Sequence, residues 1–588
     1  VTNLDIEGPG SLHQAIVDSN NTPGPNDINF AEGLGGWITL LDGESIVNND
    51  LTIHGREGLS VSIPSVFLGG GMDAPGSLWI DRVRVLLDGM SLGGFGVIVV
   101  DKGALTVDHS QVEAWPGIEN RGGDVMVVAS SVYAASNGGR MTVVNCTISN
   151  AWGIENSGTM TIADTTIGHI YHHLSNSGTM TIADTTIRNS WGIGNSGTMT
   201  IADTTISRCY GIKNTGTMTA SYSTFCDNWA EEGGAFYNSG TLTLRECTVS
   251  NNVTDLRGGG ILNLGTLNLL ESTVSGNQVY ASDEPGSGSG IFNRGLVNLA
   301  NTIVAGNTAD GPQDIDGPVE ATSSHNLIGV VTGLTGISNG VDGNMIGTAD
   351  APIDPMLGPL QDNGGPTWTM APLPGSPAID AGDNSLIPAG VAFDQRGPGF
   401  QRIVNGTVDI GAVEWQPYVA SATASWGSRN AALDVAADNV HLLPPGRKVD
   451  LPWMNVSQLA ITLSVPMTLT ADDVTVSSTS GRDYGPVALS GSGTGYTIAL
   501  ANPIDRADHV TFRIGLGGMV TRSYTLDVLP GDVNDDGIVN AQDMVLIRNA
   551  IQKTGDPLMI GWADVDGDGV VSVNDYVAAR KKLGSRLH

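Results

Sequence analysis

At 588 residues, 40% of them hydrophobic and only 15% charged, the chain has enough apolar material for several folded domains, which excludes a disordered polymer. Its formal net charge of −33 argues against nucleic acid, whose phosphates would be repelled, and suits basic partners or calcium outside the cell. No apolar run approaches the roughly 20 residues of a membrane helix, and the chain begins at Val1 rather than Met, so we expect a secreted or cell-surface protein whose targeting segment has been removed.

The first element predicted, over residues 10–20, is a short amphipathic helix capped by Ser11, and a strand is expected within 23–30. The helix would cover the unpaired first edge of the central repeat. This stretch resembles the N-terminal signature of large secreted bacterial β-helix proteins.

The central third is an internal repeat. Asn156-Ser157-Gly158-Thr159-Met160-Thr161-Ile162-Ala163-Asp164-Thr165-Thr166-Ile167 returns at 176–187 and 195–206, and the Asn-x-Gly element recurs from Asn120 to Asn293. Its spacing is 17 to 20 residues early and grows to 24, 25 and 30. Short alternating runs of Thr, Ile, Val and Met broken by Gly, Asn and Asp are strand and turn chemistry. A unit near 20 residues is one coil of a right-handed parallel β-helix, with coils stacked at about 4.8 Å. Repeat identity this strong disfavours a β-sandwich. The Asn residues should stack and hydrogen-bond along the axis, while Ile154, Met160, Ile162 and Ile167 and their counterparts Leu174, Met180, Ile182 and Ile187 fill the interior.

Cys146 and Cys247 fall in the inward column of Thr165, Thr185 and Thr204 but lie roughly 24 Å apart, and Cys209 and Cys226 are offset by two residues, roughly 8 Å between Cα atoms. Four free thiols are expected.

Two other columns invite chemistry. Trp152, His172, Trp191, Tyr210 and Trp229 form a candidate stripe for stacking sugar rings, with corner packing as the plainer explanation. Asp164, Asp184 and Asp203 form a candidate cation ladder, continued by Glu246 and Glu271, with turn capping as the plainer explanation. Some parallel β-helices are polysaccharide lyases, and these aspartates with Arg188 or Arg208 offer the only enzymatic reading. Identical coils argue against it, because a catalytic centre needs one differentiated arrangement of acid, base and substrate clamp. No catalytic residue is assigned. His169, His172 and His173 cluster in sequence and read better as an exposed loop than as a metal site.

Beyond the repeat, Asp362-Asn363-Gly364-Gly365-Pro366-Thr367, Asp394-Gln395-Arg396-Gly397 and Asp409-Ile410-Gly411-Ala412-Val413-Glu414 resemble the choice-of-anchor region that closes such solenoids in surface proteins. Residues 418–529 change character. Leu459, Ile461 and Leu463, Val474 and Val476, and Tyr496, Ile498 and Leu500 alternate like strands of an immunoglobulin-like sandwich, with turns at Ser480-Gly481 and within 491–495. Leu451-Pro452-Trp453-Met454-Asn455-Val456 resembles the module that commonly precedes dockerins in secreted bacterial proteins.

Near the C-terminus, Asp532, Asn534, Asp536, Ile538, Asn540 and Asp543 occupy positions 1, 3, 5, 7, 9 and 12 of a calcium loop; Asp564, Asp566, Asp568, Val570, Ser572 and Asp575 repeat the pattern 32 residues on. A hard cation needs several oxygens around one point, supplied here by side chains and the position 7 carbonyl, with Gly537 and Gly569 making the sharp turn. Residues 544–550 and 576–583 should be helical. Two such loops, each ending in Asp and leading into a helix, resemble a type I dockerin, which implies two bound calcium ions and docking onto a partner, usually a cohesin.

We therefore expect a cap and first coils (1–60), β-helix repeats (61–345), a closing region (346–417), a sandwich (418–529) and a dockerin-like module (530–588). The function expected is a calcium-stabilised extracellular structural protein, docked head-to-tail into a homopolymeric filament or onto a cohesin-like protein. A polysaccharide-binding or lyase component of a surface assembly is the alternative.

Overall fold

The computed structural model describes residues 1–39, 44–47, 49–55, 59–63, 77–80, 84–88, 91–94, 97–100, 103–112, 117–280, 288–309, 313–331, 334–435, 442–445, 447–516, 520–552 and 562–587. They form two compact units, Val1–Trp415 and Gln416–His588.

The first unit is a parallel solenoid. Its three long sheets hold 13, 15 and 13 strands, each strand pairing with its equivalent one coil away. Met141, Met160, Met180, Met199, Met218, Leu242 and Leu267 stand in register and fill the interior, because the two-residue strand period sends alternate side chains inward. Helix α1 (Leu12–Asn20) begins where Ser11 Oγ accepts the Gln14 N–H, and it buries Leu12 and Ile16 in the same core.

The tight Asn-x-Gly corners are held by a buried amide ladder. From Asn120 to Asn263, each Nδ2 donates to the Oδ1 of the next Asn at 2.7–2.8 Å. All four cysteines are buried and free, and burial pushes the Cys247 thiol up to about 12.

The segment 346–415 runs back along the outer face of the sheet that contains Thr224, Thr248 and Thr273. Thr224 Oγ1 donates to the Trp368 carbonyl at 2.5 Å and Thr248 Oγ1 to Gln395 Oε1 at 2.6 Å; Ala412 N–H donates to Thr273 Oγ1 at 3.0 Å. Thr166, Thr186 and Thr205, equivalent positions in earlier coils, are not buried. This strap adds its own apolar layer of Ala378 and Ile410 against Ile303, Ala305 and Leu327.

In the second unit, Val419–Trp426, Arg429–Leu433, Val456–Met467 and Val487–Ile504 form one antiparallel sheet, and Val474–Ser478, Asp508–Leu516 and Val520–Val528 form another. Leu459, Ile461, Leu463, Tyr496 and Ile498 are buried. The turn expected within 491–495 lies inside the range Val487–Ile504, where a Cβ on Gly491 would stand 2.2 Å from the Gly495 carbonyl oxygen, so the chain bends back there. Gly491 and Gly493 take φ of 124° and 65°, angles that glycine adopts without a Cβ clash, and the extra residues of the register shift lie on the partner strand between Thr462 and Met467. Helix α2 (Ala541–Ile551) starts earlier than expected, where Asn540 caps it, and α3 (Val573–Arg580) stops short of residue 583. Their buried faces share a core of Val533, Met544, Ile547, Val565, Ala578 and Ala579.

Candidate metal centres and docking module

Each calcium loop folds around its first and last carboxylates. Asp532 accepts the N–H groups of Asp535, Asp536 and Gly537 at 2.8, 3.3 and 2.7 Å, while Asp543 accepts those of Val533, Asn534 and Asn540 at 2.8, 3.1 and 2.9 Å. In the second loop Asp564 takes the N–H groups of Gly567 and Gly569, and Asp575 those of Asp566 and Ser572. Asn540 and Ser572 also cap α2 and α3, so position 9 ties loop to helix.

This folding draws like charges together. Ligand oxygens of Asp532, Asp536 and Asp543 lie within 4.8 Å of one another, as do those of Asp564, Asp566 and Asp575; among the described residues these are the only such groups of three. Burial pushes Asp543 and Asp575 upward, and the carboxylates of Asp532, and of Asp566 and Asp564, add to it. Asn534 Oδ1 is buried without a hydrogen-bond partner. Clustered acids, an orphaned amide oxygen and all-oxygen donors fit a hard divalent cation. Asp568 and Val570 are exposed at the rim of the second loop, and the Ile538 carbonyl of the first accepts from Asn540 Nδ2 at 3.1 Å.

The solenoid columns behave differently. Asp164, Asp184 and Asp203 sit at a corner with φ of 46–47°, a left-handed conformation shared in the same column by Asn145, Tyr222, Glu246 and Glu271. Backbone geometry is common to the whole column, and the three aspartates do not form one of the close acidic groups among the described residues. Burial, then Asp184, raises the Asp203 carboxyl. Arg188 and Arg208 lie at the opposite end of the intervening strands, so these arginines are not brought beside Asp184 and Asp203.

The aromatic column is exposed, but its second rung differs from expectation. Tyr171 N–H bonds the Ala151 carbonyl as Trp191 bonds Ile170 and Tyr210 bonds Ser190, so Tyr171 stands in register with Trp152 and Trp191. This coil is 20 residues long where its neighbours have 19, which displaces His172 by one position. His172 instead packs its ring against Trp152 at 4.1 Å, tilted by 40°, and Tyr210 meets Trp229 edge-on at 4.9 Å. Beside Trp191 and Tyr210 runs an open groove of about 570 Å³, floored by Ser175, Gly194 and Lys213. His169, His172 and His173 are exposed and belong to no close metal-ligating group among the described residues.

Residues 530–584 match the family model of the dockerin type I domain. The C-terminal module is a dockerin. Residues 130–279 match the right handed beta helix region, which sets the hand of the solenoid. No curated protein and no solved structure matches the chain. Dockerins are non-catalytic docking modules that bind cohesin partners and, in general, calcium. The candidate ligand positions of the two loops are readable from sequence, but the residues that brace them, Trp426, Arg429, Arg447 and Asp450, are not. Those lie some 85 to 140 residues away along the chain, with no local spacing to mark them.

Proposed function

We propose that this is a secreted or cell-surface component fastened to a cohesin-type partner by a dockerin that folds around two calcium ions. Asp532, Asn534, Asp536, Ile538, Asn540 and Asp543 would hold one ion, and Asp564, Asp566, Asp568, Val570, Ser572 and Asp575 the other, with Ile538 and Val570 using their carbonyls. The observation that carries the reading is the pair of complete ligand loops inside the matched dockerin region. Val570, Val573 and Val577, at 63%, 64% and 43% exposure, place apolar surface on the second loop and one face of α3, where a partner could cover it. The head-to-tail homopolymer gains no support from these observations. No helix among the described residues is long and apolar enough to cross a membrane.

The test is calorimetric titration of a type I cohesin domain into the full chain. Binding in calcium that vanishes in EGTA is expected; no binding in calcium, or binding indifferent to EGTA, would contradict it.

A second reading concerns the solenoid. Trp191 is 63% exposed beside a groove floored by hydroxyl, glycine and lysine groups, a combination suited to a polyhydroxylated chain. It favours binding a glycan over cleaving one, given the separation of Asp203 from Arg208. Affinity electrophoresis through neutral and uronate polysaccharides should retard the chain, and Trp191→Ala should abolish the retardation.

A further inference from the structure

Both calcium loops offer an oxygen donor at every ligand-bearing position, yet at position 4, which supplies no side-chain ligand, one has Asp535 and the other Gly567. Within the second unit both residues face the sandwich, and each suits what it meets there. The Asp535 carboxylate accepts the backbone N–H groups of Lys448, Val449 and Asp450 at 2.6, 3.1 and 3.2 Å. Arg447, fully buried in its side chain, fills the space between: its guanidinium lies 2.9 Å from Asp450 and 3.3 Å from Asp535, and donates to the carbonyls of Asp532 at 2.7 Å and Val533 at 3.3 Å. Loop 1 is thereby gripped at positions 1, 2 and 4.

At loop 2 the contact is steric. Gly567 has φ +75°, and a Cβ there would stand 2.5 Å from both the ring and the carbonyl of Trp426. Its own carbonyl accepts Ser428 N–H at 2.8 Å and Ser428 Oγ at 2.9 Å. Trp426, stacked on Trp453 at 3.7 Å, donates its indole N–H to the Asp564 carbonyl at 3.2 Å. Arg429 Nε reaches Asp564 Oδ2 at 2.6 Å and its Nη2 reaches the Gly569 carbonyl at 3.1 Å, so one side chain spans positions 1 and 6.

We propose that position 4 of each loop is one half of a calcium-dependent joint between dockerin and sandwich, in which Arg447 and Arg429 are positioning residues for the calcium ligands. The inference rests on the reading that both loops bind calcium. Arg429 holds the Asp564 oxygen beside the Gly569 N–H and orients the carboxylate, the task outer-shell partners perform at metal sites. Calcium holds each loop in the shape that fits the sandwich, and the sandwich holds each loop in the shape that fits calcium. The two effects are equal by linkage. Without the ion, the repelling carboxylates open the loop and segments 426–429 and 447–454 lose their counterpart.

Hydrogen exchange of the full chain, resolved by peptide, tests this. In calcium both segments should be protected; in EGTA their exchange should accelerate at least about tenfold, while the sandwich strand Val456–Met467 keeps its protection. Calorimetry with calcium chloride should show Arg429→Ala weakening one of two sites by roughly 10- to 100-fold with the other little changed, and Arg429→Lys recovering part of the loss. Gly567→Ala, which removes no ligand, should speed exchange at 426–429 even in calcium. Calcium binding with no change in exchange at either segment and unaltered affinity in Arg429→Ala would overturn the joint and leave the calcium reading standing. Absence of any calcium binding would remove both.

Discussion

Arg402 Nε lies 3.0 Å from Glu246 Oε1, and both side chains are buried between the strap and the solenoid. The same guanidinium donates to the carbonyls of Asp409 and Gly411 at 3.1 and 2.8 Å, so one residue pins the returning segment to a coil more than 150 residues earlier. Breaking a buried pair leaves its partner's charge uncompensated, at a cost of about 3–5 kcal/mol. Arg402→Ala should lower the thermal transition of the solenoid while leaving the calcium-dependent transition of the second unit in place, as recorded by scanning calorimetry.

The carboxylates around Arg402 outnumber it. Burial pushes Glu271 up to about 7 despite Arg402, Arg245 and Asn301, and burial likewise pushes Asp409 up to about 7. Folding therefore raises both above their unfolded values, so their stabilising contribution is complete below about pH 4 and is lost as pH climbs through about 7. The melting temperature of the solenoid should fall between about pH 4 and about pH 7. Glu271→Gln should flatten that slope by its share, on the order of 3 kcal/mol.

The amide ladder makes its own prediction. Asn195 accepts from Asn176 and donates to Asn214, both at 2.8 Å, in a fully enclosed corner. Asn195→Ala strands the Asn214 Oδ1 acceptor, at about 1–3 kcal/mol, while Asn176 Nδ2 keeps the Gly178 and Thr198 carbonyls. Ser196→Ala, one residue on and exposed, should change stability by less than about 0.5 kcal/mol, and denaturant titration of both variants measures the contrast.

Much of this organisation was legible because its signals are local. Ligand spacing in 532–543 and 564–575 and the repeated Asn, Met and Ile positions each arise from one strand, turn or loop. The rest depends on neighbours far along the chain. Thr166 and Thr248 look alike in sequence, yet only Thr248 is buried, because Gln395 lies over it. The extra residue that moves Tyr171 into the aromatic column is invisible to an alignment anchored on Leu174. The Asp535 and Gly567 difference was present in the sequence, but its meaning needs Lys448 and Trp426 in place.

Chelation should act on the second unit and spare the first. Without cation, the carboxylates of each loop repel, and two short helices cannot bury enough surface to stay folded. EGTA should remove the far-UV signal of α2 and α3 and leave the β-sheet signal of the solenoid. Asp536→Ala, at an exposed ligand position, should raise the calcium needed to restore it.

A dockerin that serves a heterologous partner should hold a cohesin domain in calcium and leave the chain itself unpolymerised. Sedimentation velocity of the full chain, alone and with excess cohesin domain, tests this most directly. One discrete species alone, a one-to-one complex with cohesin in calcium, and dissociation in EGTA are expected. A calcium-dependent polymer of the chain alone, with cohesin left free, would contradict it.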